Sequence, residues 1–243
     1  MPDRRGFLLS ALACAGVPGK AQSRPRLAFA PSVENGVTFR RAYSASPGAG
    51  ILPLVTGIFP HAYGASEPER LTRFFEVTGS IDDSTIVIAA GRSGEDWSEA
   101  GVHIPLAIRV PGKLEGNVFS DVLISTIDVL PTIMSLAGIP IPENVHGRPV
   151  TLTAPPASVY AEGALGQPSE WRMIVRGFDK MVTTKSLQPT HLFNLGDDPT
   201  ELQDLALEPG HRLKVDELKA LMLDWKKRSG DGLDRSGLKR RTR

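Results

Sequence analysis

The fold is decided by residues 104–142, which read IPLAIRVPGKLEGNVFSDVLISTIDVLPTIMSLAGIPIP. A short apolar run at 104–110 leads into a Pro-Gly-Lys turn, and a second apolar run then leads into a segment with helical spacing that begins near Asp128 and stops at Gly138. The two apolar runs have the length of strands, and glycine is a typical helix stop. The order of strand, turn, strand and helix predicts a layered α/β fold.

The chain before this stretch carries the same two kinds of element. Apolar runs at 26–30 and 37–39 predict strands, and the run TIVIAA at 85–90 has the apolar character of a strand buried on both faces of a parallel sheet. Residues 54–57 predict a short helical turn, and the spacing of apolar residues at 67–78 predicts a longer helix. We therefore expect a mostly parallel central sheet between helices.

The chain after this stretch predicts a smaller second unit. Residues 151–158 are rich in Pro, Thr and Ala, which is typical of a connection. Four short strand-like runs follow in succession and favour an antiparallel sheet, at 159–161, 172–176, 180–184 and 192–195. The segment 212–227 has one apolar helical face, which predicts a terminal helix packed on this sheet. We place the α/β domain at 24–153 and the C-terminal subdomain at 154–243.

The overall composition bounds the size of the core and gives no electrostatic case for two kinds of partner. The chain has 243 residues with 41% hydrophobic content, enough to bury the core of one large domain or of one domain with a small appendage. Lys and Arg total 28 against 27 Asp and Glu. This balance gives no electrostatic reason to expect binding to nucleic acid or to an anionic membrane. The basic tail at 239–243 is interpreted as a solvated terminus.

The N-terminus has the pattern of an export signal. Arg4 and Arg5 precede a short apolar run at 6–17, followed by small residues, which is typical of the twin-arginine export type. The run is shorter than the roughly 20 residues that a transmembrane helix needs. We predict an export signal at 1–23, no transmembrane segment, and a periplasmic or secreted protein. Cys14, the only cysteine, lies in this segment, where lipidation is an alternative.

Several stretches resemble the sulfatases in order and spacing. Besides residues 104–142, they are ENGVTFRRAYSASP at 34–47, LVTGIFPHAYG at 54–64, TIVIAAGRSGE at 85–95 and HLFNLGDDPTELQDLA at 191–206. The resemblance implies an alkaline-phosphatase-like fold, reduced in size, and hydrolysis of sulfuric esters. The region that links the second and third of these stretches in the family is represented here only by residues 65–84.

Sulfate ester hydrolysis in that family requires three chemical groups. An aldehyde hydrate made from the Cys or Ser of a CxPxR or SxPxR motif attacks sulfur. A divalent cation, usually calcium, is held by Asp and Asn oxygens. Cationic side chains stabilise the charge that develops in the transition state.

This chain departs from the family at the nucleophile. The Cys or Ser position falls on Pro47 or Ala49, and neither residue can be oxidised to an aldehyde. Ser44 and Ser46 lie close by, but the Pro and Arg of the motif do not follow at the required spacing. The sequence therefore predicts no catalytic residue in this loop.

The chain also departs from the family at the metal site. Pro31, Ser32 and Val33 stand where the family has paired aspartates. Arg92 and Ser93 stand where a second aspartate and its neighbour bind the metal. An arginine there repels a divalent cation. We predict neither metal ligands nor a cofactor.

Two cationic positions are candidates for anion contact. Arg92 could present its guanidinium fork to a sulfate or carboxylate, and His103 stands where the family usually has an arginine. The alternatives are a surface or salt-bridged arginine and a packed histidine. His61 is interpreted as a packing residue, and the acidic pairs at 82–83 and 197–198 are interpreted as turn residues.

Three functional hypotheses follow. The first is a catalytically impaired or inactive sulfatase-like protein that binds sulfated or other anionic glycans. The second is a working sulfatase or phosphoester hydrolase that uses unorthodox residues. The third is a decayed or truncated gene product that folds poorly, because lost segments leave unpaired sheet edges and exposed apolar surface.

Overall fold

The computed structural model describes residues 24–62, 71–153 and 157–231. The predicted export signal, with Cys14, and the basic tail lie outside the described residues. Within these ranges the chain forms two sheets and four α-helices. None of these helices combines the length and the apolar character that a membrane crossing requires.

The first sheet has six strands and is mostly parallel. The strands are β1 (Arg26–Phe29), β2 (Val37–Tyr43), β3 (Glu76–Val77), β4 (Ile86–Ala90), β5 (Leu106–Arg109) and β6 (Val118–Ser125). Their order is β3-β1-β4-β5-β2-β6, and only β5 is antiparallel to its neighbours. The predicted strands at 26–30, 37–39 and 85–90 and the two apolar runs of 104–142 are confirmed.

The predicted helix at 67–78 is wrong in its described part. Leu71–Arg73 forms a single 3₁₀ turn, and Glu76–Val77 is strand β3, which pairs in parallel with β1. Leu71 and Phe75 are buried in the core, which explains the apolar spacing. Pairing with a sheet edge decided the conformation here, against the local helical pattern.

The helices of the first unit are short except for one. They are α1 (Leu52–Thr56), α2 (Glu99–Val102) and α3 (Thr126–Leu136). Asp128 fixes the start of α3, because its carboxylate accepts the backbone N–H groups of Ser125 at 3.0 Å and Arg148 at 2.9 Å. Pro131 has no N–H to donate to the Ile127 carbonyl. The backbone of Gly147 lies close to the same carbonyl, and a Cβ on Gly147 would lie 1.9 Å from its oxygen, so position 147 accepts only glycine.

The second sheet has four antiparallel strands, as predicted. They are β7 (Val159–Gly163), β8 (Trp171–Arg176), β9 (Asp179–Thr184) and β10 (Pro189–Asn194), in the order β10-β9-β8-β7. The terminal helix α4 (Arg212–Ser229) buries Leu218, Met222 and Trp225 in the cluster that covers this sheet.

Apolar clusters join the two units. One contains Tyr43, Val102 and Leu123 of the first unit together with Val159 and Met173 of the second. Another brings Ala45, Phe59 and Ile127 against Tyr160 and Trp225. The loop after β2 is therefore held partly by the C-terminal subdomain. The domain boundaries at 153 and 154 stay a prediction.

Candidate functional site

A cleft of about 610 Å³ lies at the carboxyl ends of the parallel strands. Loops that follow β1, β2 and β4 line it, together with Thr126 at the start of α3. Ligands of open α/β sheets bind at this edge, because the loops of neighbouring strands diverge there. Apolar side chains, including Phe29, Ile51 and Ile104, form much of the wall.

The loop after β2 is compact and contributes one hydroxyl-bearing residue, Ser44, to the described lining. Ser44 is 3% exposed, and its backbone N–H donates to the Val102 carbonyl at 2.8 Å. The next N–H, of Ala45, donates to Thr126 Oγ1 at 2.9 Å. Gly48 and Gly50 have positive φ values of 82° and 63°, which a side chain would strain. This is the loop in which Pro47 or Ala49 occupies the expected nucleophile position.

Arg92 lines the cleft, and its side chain is exposed. Within the described ranges, no hydrogen bond or ion pair of its guanidinium is found. Glu95 is the single carboxylate among the described lining residues. Calcium takes 6–8 oxygen ligands, several of them carboxylates. A lining with one carboxylate and one guanidinium does not fit that ion.

His103 lies elsewhere. Its Nε2 is 2.8 Å from the Arg40 carbonyl oxygen, and its ring meets Tyr43 edge-on at 5.7 Å. Its neighbour Ile104 lines the cleft, but His103 is not among the described lining residues. The structure therefore separates the two cationic candidates, and only Arg92 lies in the cleft.

A buried ionic network connects the two units, and no local sequence pattern indicated it. Arg172, which is 1% exposed, donates to both oxygens of Asp231 at 2.7 and 2.9 Å and to Glu170 at 2.8 Å. His61 Nδ1 lies 2.5 Å from Glu162 Oε2, and its Nε2 lies 2.9 Å from the Ser229 carbonyl. These bonds tie the loop after α1 to β7, β8 and the end of α4.

The charged groups of this network shift one another's pKa values. Burial lowers the pKa of His61, but its hydrogen bond to Glu162 and the Glu162 charge outweigh burial, so the pKa is raised above its usual value. Burial raises the pKa of Asp231, but the bonds and charge of Arg172 outweigh it and lower the pKa overall. Ligand atoms of His61, Glu162 and Asp231 lie within 4.8 Å of one another. Arg172 already supplies a positive charge beside Asp231 and Glu162, so the charge of this cluster is compensated by the protein itself.

A second ionic cluster gives the DDPTEL motif at residues 197–202 a structural role. Lys180 Nζ is fully buried and lies 2.6 Å from Glu201 Oε1 and 3.2 Å from Glu99 Oε2. Glu201 also accepts the backbone N–H of Glu99 at 2.6 Å. Asp198 accepts the N–H of Gln203 at 2.7 Å. The motif therefore closes a turn and docks it on α2, and it contributes no group to the cleft.

Sequence comparison finds sulfatases over part of the chain. No family model matches. Arylsulfatase K of Bos taurus is 27% identical over 130 residues, which is 44% of this chain and 23% of that protein. An arylsulfatase of Clostridium perfringens is 27% identical over 135 residues, which is 51% of this chain and 28% of that protein. The chain spans about a quarter of the length of these curated relatives.

Comparison with solved structures finds a sulfatase and a phosphonate monoester hydrolase among the similar folds. A putative sulfatase from Bacteroides thetaiotaomicron has a TM-score of 0.54 at 23% identity, and the match covers 61% of this chain and 37% of that one. A phosphonate monoester hydrolase from Silicibacter pomeroyi has a TM-score of 0.51 at 22% identity, covering 62% and 36%. These matches confirm the alkaline-phosphatase-like α/β fold in reduced size. They also confirm, over the part of the chain that the comparisons cover, its resemblance to the sulfatase family.

Proposed function

We propose that this chain is a catalytically inactive, sulfatase-like protein that binds sulfated or other anionic glycans. The observation that carries the proposal is the placement of Arg92. Its guanidinium is exposed in the cleft at the carboxyl ends of the strands and has no partner among the described residues. The predicted export is part of the same proposal, since such glycans are found outside the cell.

The cleft has groups suited to holding a sulfate. An arginine offers a planar fork of donors that matches two oxygens of a sulfate or carboxylate. Ser44, Ser93 and Thr126 also line the cleft, and hydroxyl groups of this kind can donate further hydrogen bonds to a sulfate. A structural neighbour at 18% identity and a TM-score of 0.53 is in complex with its substrate D-glucosamine-2-N,6-O-disulfate, which supports this ligand class.

The same lining argues against hydrolysis. A serine nucleophile needs an adjacent base or another means of activation. The described lining residues include no His, Lys or Cys, and Glu95 is their only carboxylate. Ser44 is the residue on which the alternative, an active hydrolase with unorthodox groups, would depend.

Replacing Arg92 with alanine is expected to weaken binding of glucosamine 2-N,6-O-disulfate about tenfold to a hundredfold. Loss of a hydrogen bond to a charged group costs about 1.5–3 kcal/mol, and 1.4 kcal/mol is a factor of ten. Isothermal titration calorimetry at fixed salt measures the change. Arg212→Ala is the matched control, because Arg212 is exposed and does not line the cleft. Equal affinities of wild type and Arg92→Ala would refute the proposed site.

A further inference from the structure

The segment at 91–98 that carries Arg92 is anchored to the first unit on both sides of that residue. The Gly91 N–H donates to the Pro105 carbonyl at 2.7 Å, and the Gly94 N–H donates to the Gly101 carbonyl at 2.7 Å. Further along, Ser98 Oγ accepts the N–H of Gly101 at 3.1 Å and begins α2. Arg92 therefore lies between two fixed backbone positions.

Trp97 attaches the same segment to the C-terminal subdomain. Its ring is stacked on His191 with centroids 4.3 Å apart and planes at 27°, and Phe193 lies beyond at 6.2 Å. His191 is itself held, because its Nδ1 lies 2.8 Å from Asp204 Oδ2. Asp204 Oδ1 in turn accepts the Leu192 N–H at 3.0 Å. The stack is thus made against a side chain with a fixed position.

We propose that Trp97 is a positioning residue for Arg92, acting through its stack on His191. The inference rests on the proposed function of the cleft. A binding group on a loop loses affinity when the loop must be ordered on binding, and a loop held beforehand avoids that loss. The stack of Trp97 on His191 holds the loop from outside the cleft, since neither residue is among the described lining residues of the cleft.

Loss of the Trp97 stack should weaken ligand binding only in part. The backbone N–H of Glu99, two residues after Trp97, also donates to Glu201 Oε2 at 2.6 Å, so the segment keeps a second tie to the C-terminal subdomain. We expect Trp97→Ala to weaken binding of glucosamine 2-N,6-O-disulfate about fivefold, with Trp97→Phe restoring most of the affinity because it keeps a ring to stack. His191→Leu removes the other half of the stack and should act like Trp97→Ala.

A double-mutant cycle tests the inference by calorimetry. If Trp97 acts through Arg92, Trp97→Ala has no further effect on affinity once Arg92 is alanine, whereas independent effects would multiply. A fivefold loss that appears only with Arg92 present, and recovery in Trp97→Phe, would support the inference. Unchanged affinity in both Trp97→Ala and His191→Leu, with normal binding by wild type, would overturn it, and so would a loss from Trp97→Ala that is equally large when Arg92 is alanine. Failure of wild type itself to bind would refute the proposed function instead.

Discussion

Replacement of Arg172 by methionine is expected to lower the free energy of unfolding by about 3–5 kcal/mol, the usual cost of removing one partner from a buried charge network. Arg172 makes paired bonds to Asp231 and a third to Glu170, and its guanidinium Nε also lies 3.9 Å from Glu162. Methionine fills part of the space but leaves these carboxylates without their main counter-charge. Urea unfolding followed by circular dichroism measures the difference.

The matched control lies on the same strand. Arg176 pairs with Glu217, but both side chains are more than 40% exposed. Arg176→Met is therefore expected to change the free energy of unfolding by about 0–1 kcal/mol. Similar losses in the two variants would show that the buried network contributes no more than a surface pair. Wild-type protein without a cooperative transition would favour the alternative of a decayed gene product.

Replacement of Lys180 by methionine is expected to cost about 3–5 kcal/mol for the same physical reason. The ammonium group is fully buried between Glu201, which is 8% exposed, and Glu99. Without it, two carboxylates face each other at the junction of the DDPTEL turn and α2. Thermal unfolding monitored by calorimetry, with the same buffer for all variants, measures the loss.

Lys214→Met is the control for Lys180. Lys214 Nζ pairs with Asp179 at 2.7 Å, but its side chain is 39% exposed, so a loss of about 0–1 kcal/mol is expected. An equally small loss in Lys180→Met would contradict the structural role given to the DDPTEL motif. The ion pairs of Lys180 would then not account for the presence of the motif.

Local sequence patterns were sufficient for most of the fold. Strands such as Ile86–Ala90 and the helix at Thr126–Leu136 were recognisable from apolar runs and helix stops, because their signals lie within the element itself. The helix predicted at 67–78 failed for the opposite reason. Strand β3 depends on pairing with β1, some 50 residues earlier, and two residues carry too little local signal to reveal it.

The site was predictable only in part. Arg92 is a candidate because the family resemblance places it at a carboxylate position, and in the structure it lines the cleft, while its contact with an anion stays a prediction. His103 is a candidate because it stands where the family usually has an arginine, while its contacts to Arg40 and Tyr43 depend on the arrangement of strands. The Arg172 network joins residues 59 positions apart, so no local pattern could have shown it.

We propose that this chain keeps a sulfatase-like scaffold without the groups that hydrolyse an ester. The test is the release of 4-nitrophenol from 4-nitrophenyl sulfate by purified wild-type protein with added calcium, compared with Ser44→Ala. We expect no release above the buffer rate for either protein. Turnover that depends on the wild-type protein and disappears in Ser44→Ala would contradict the claim.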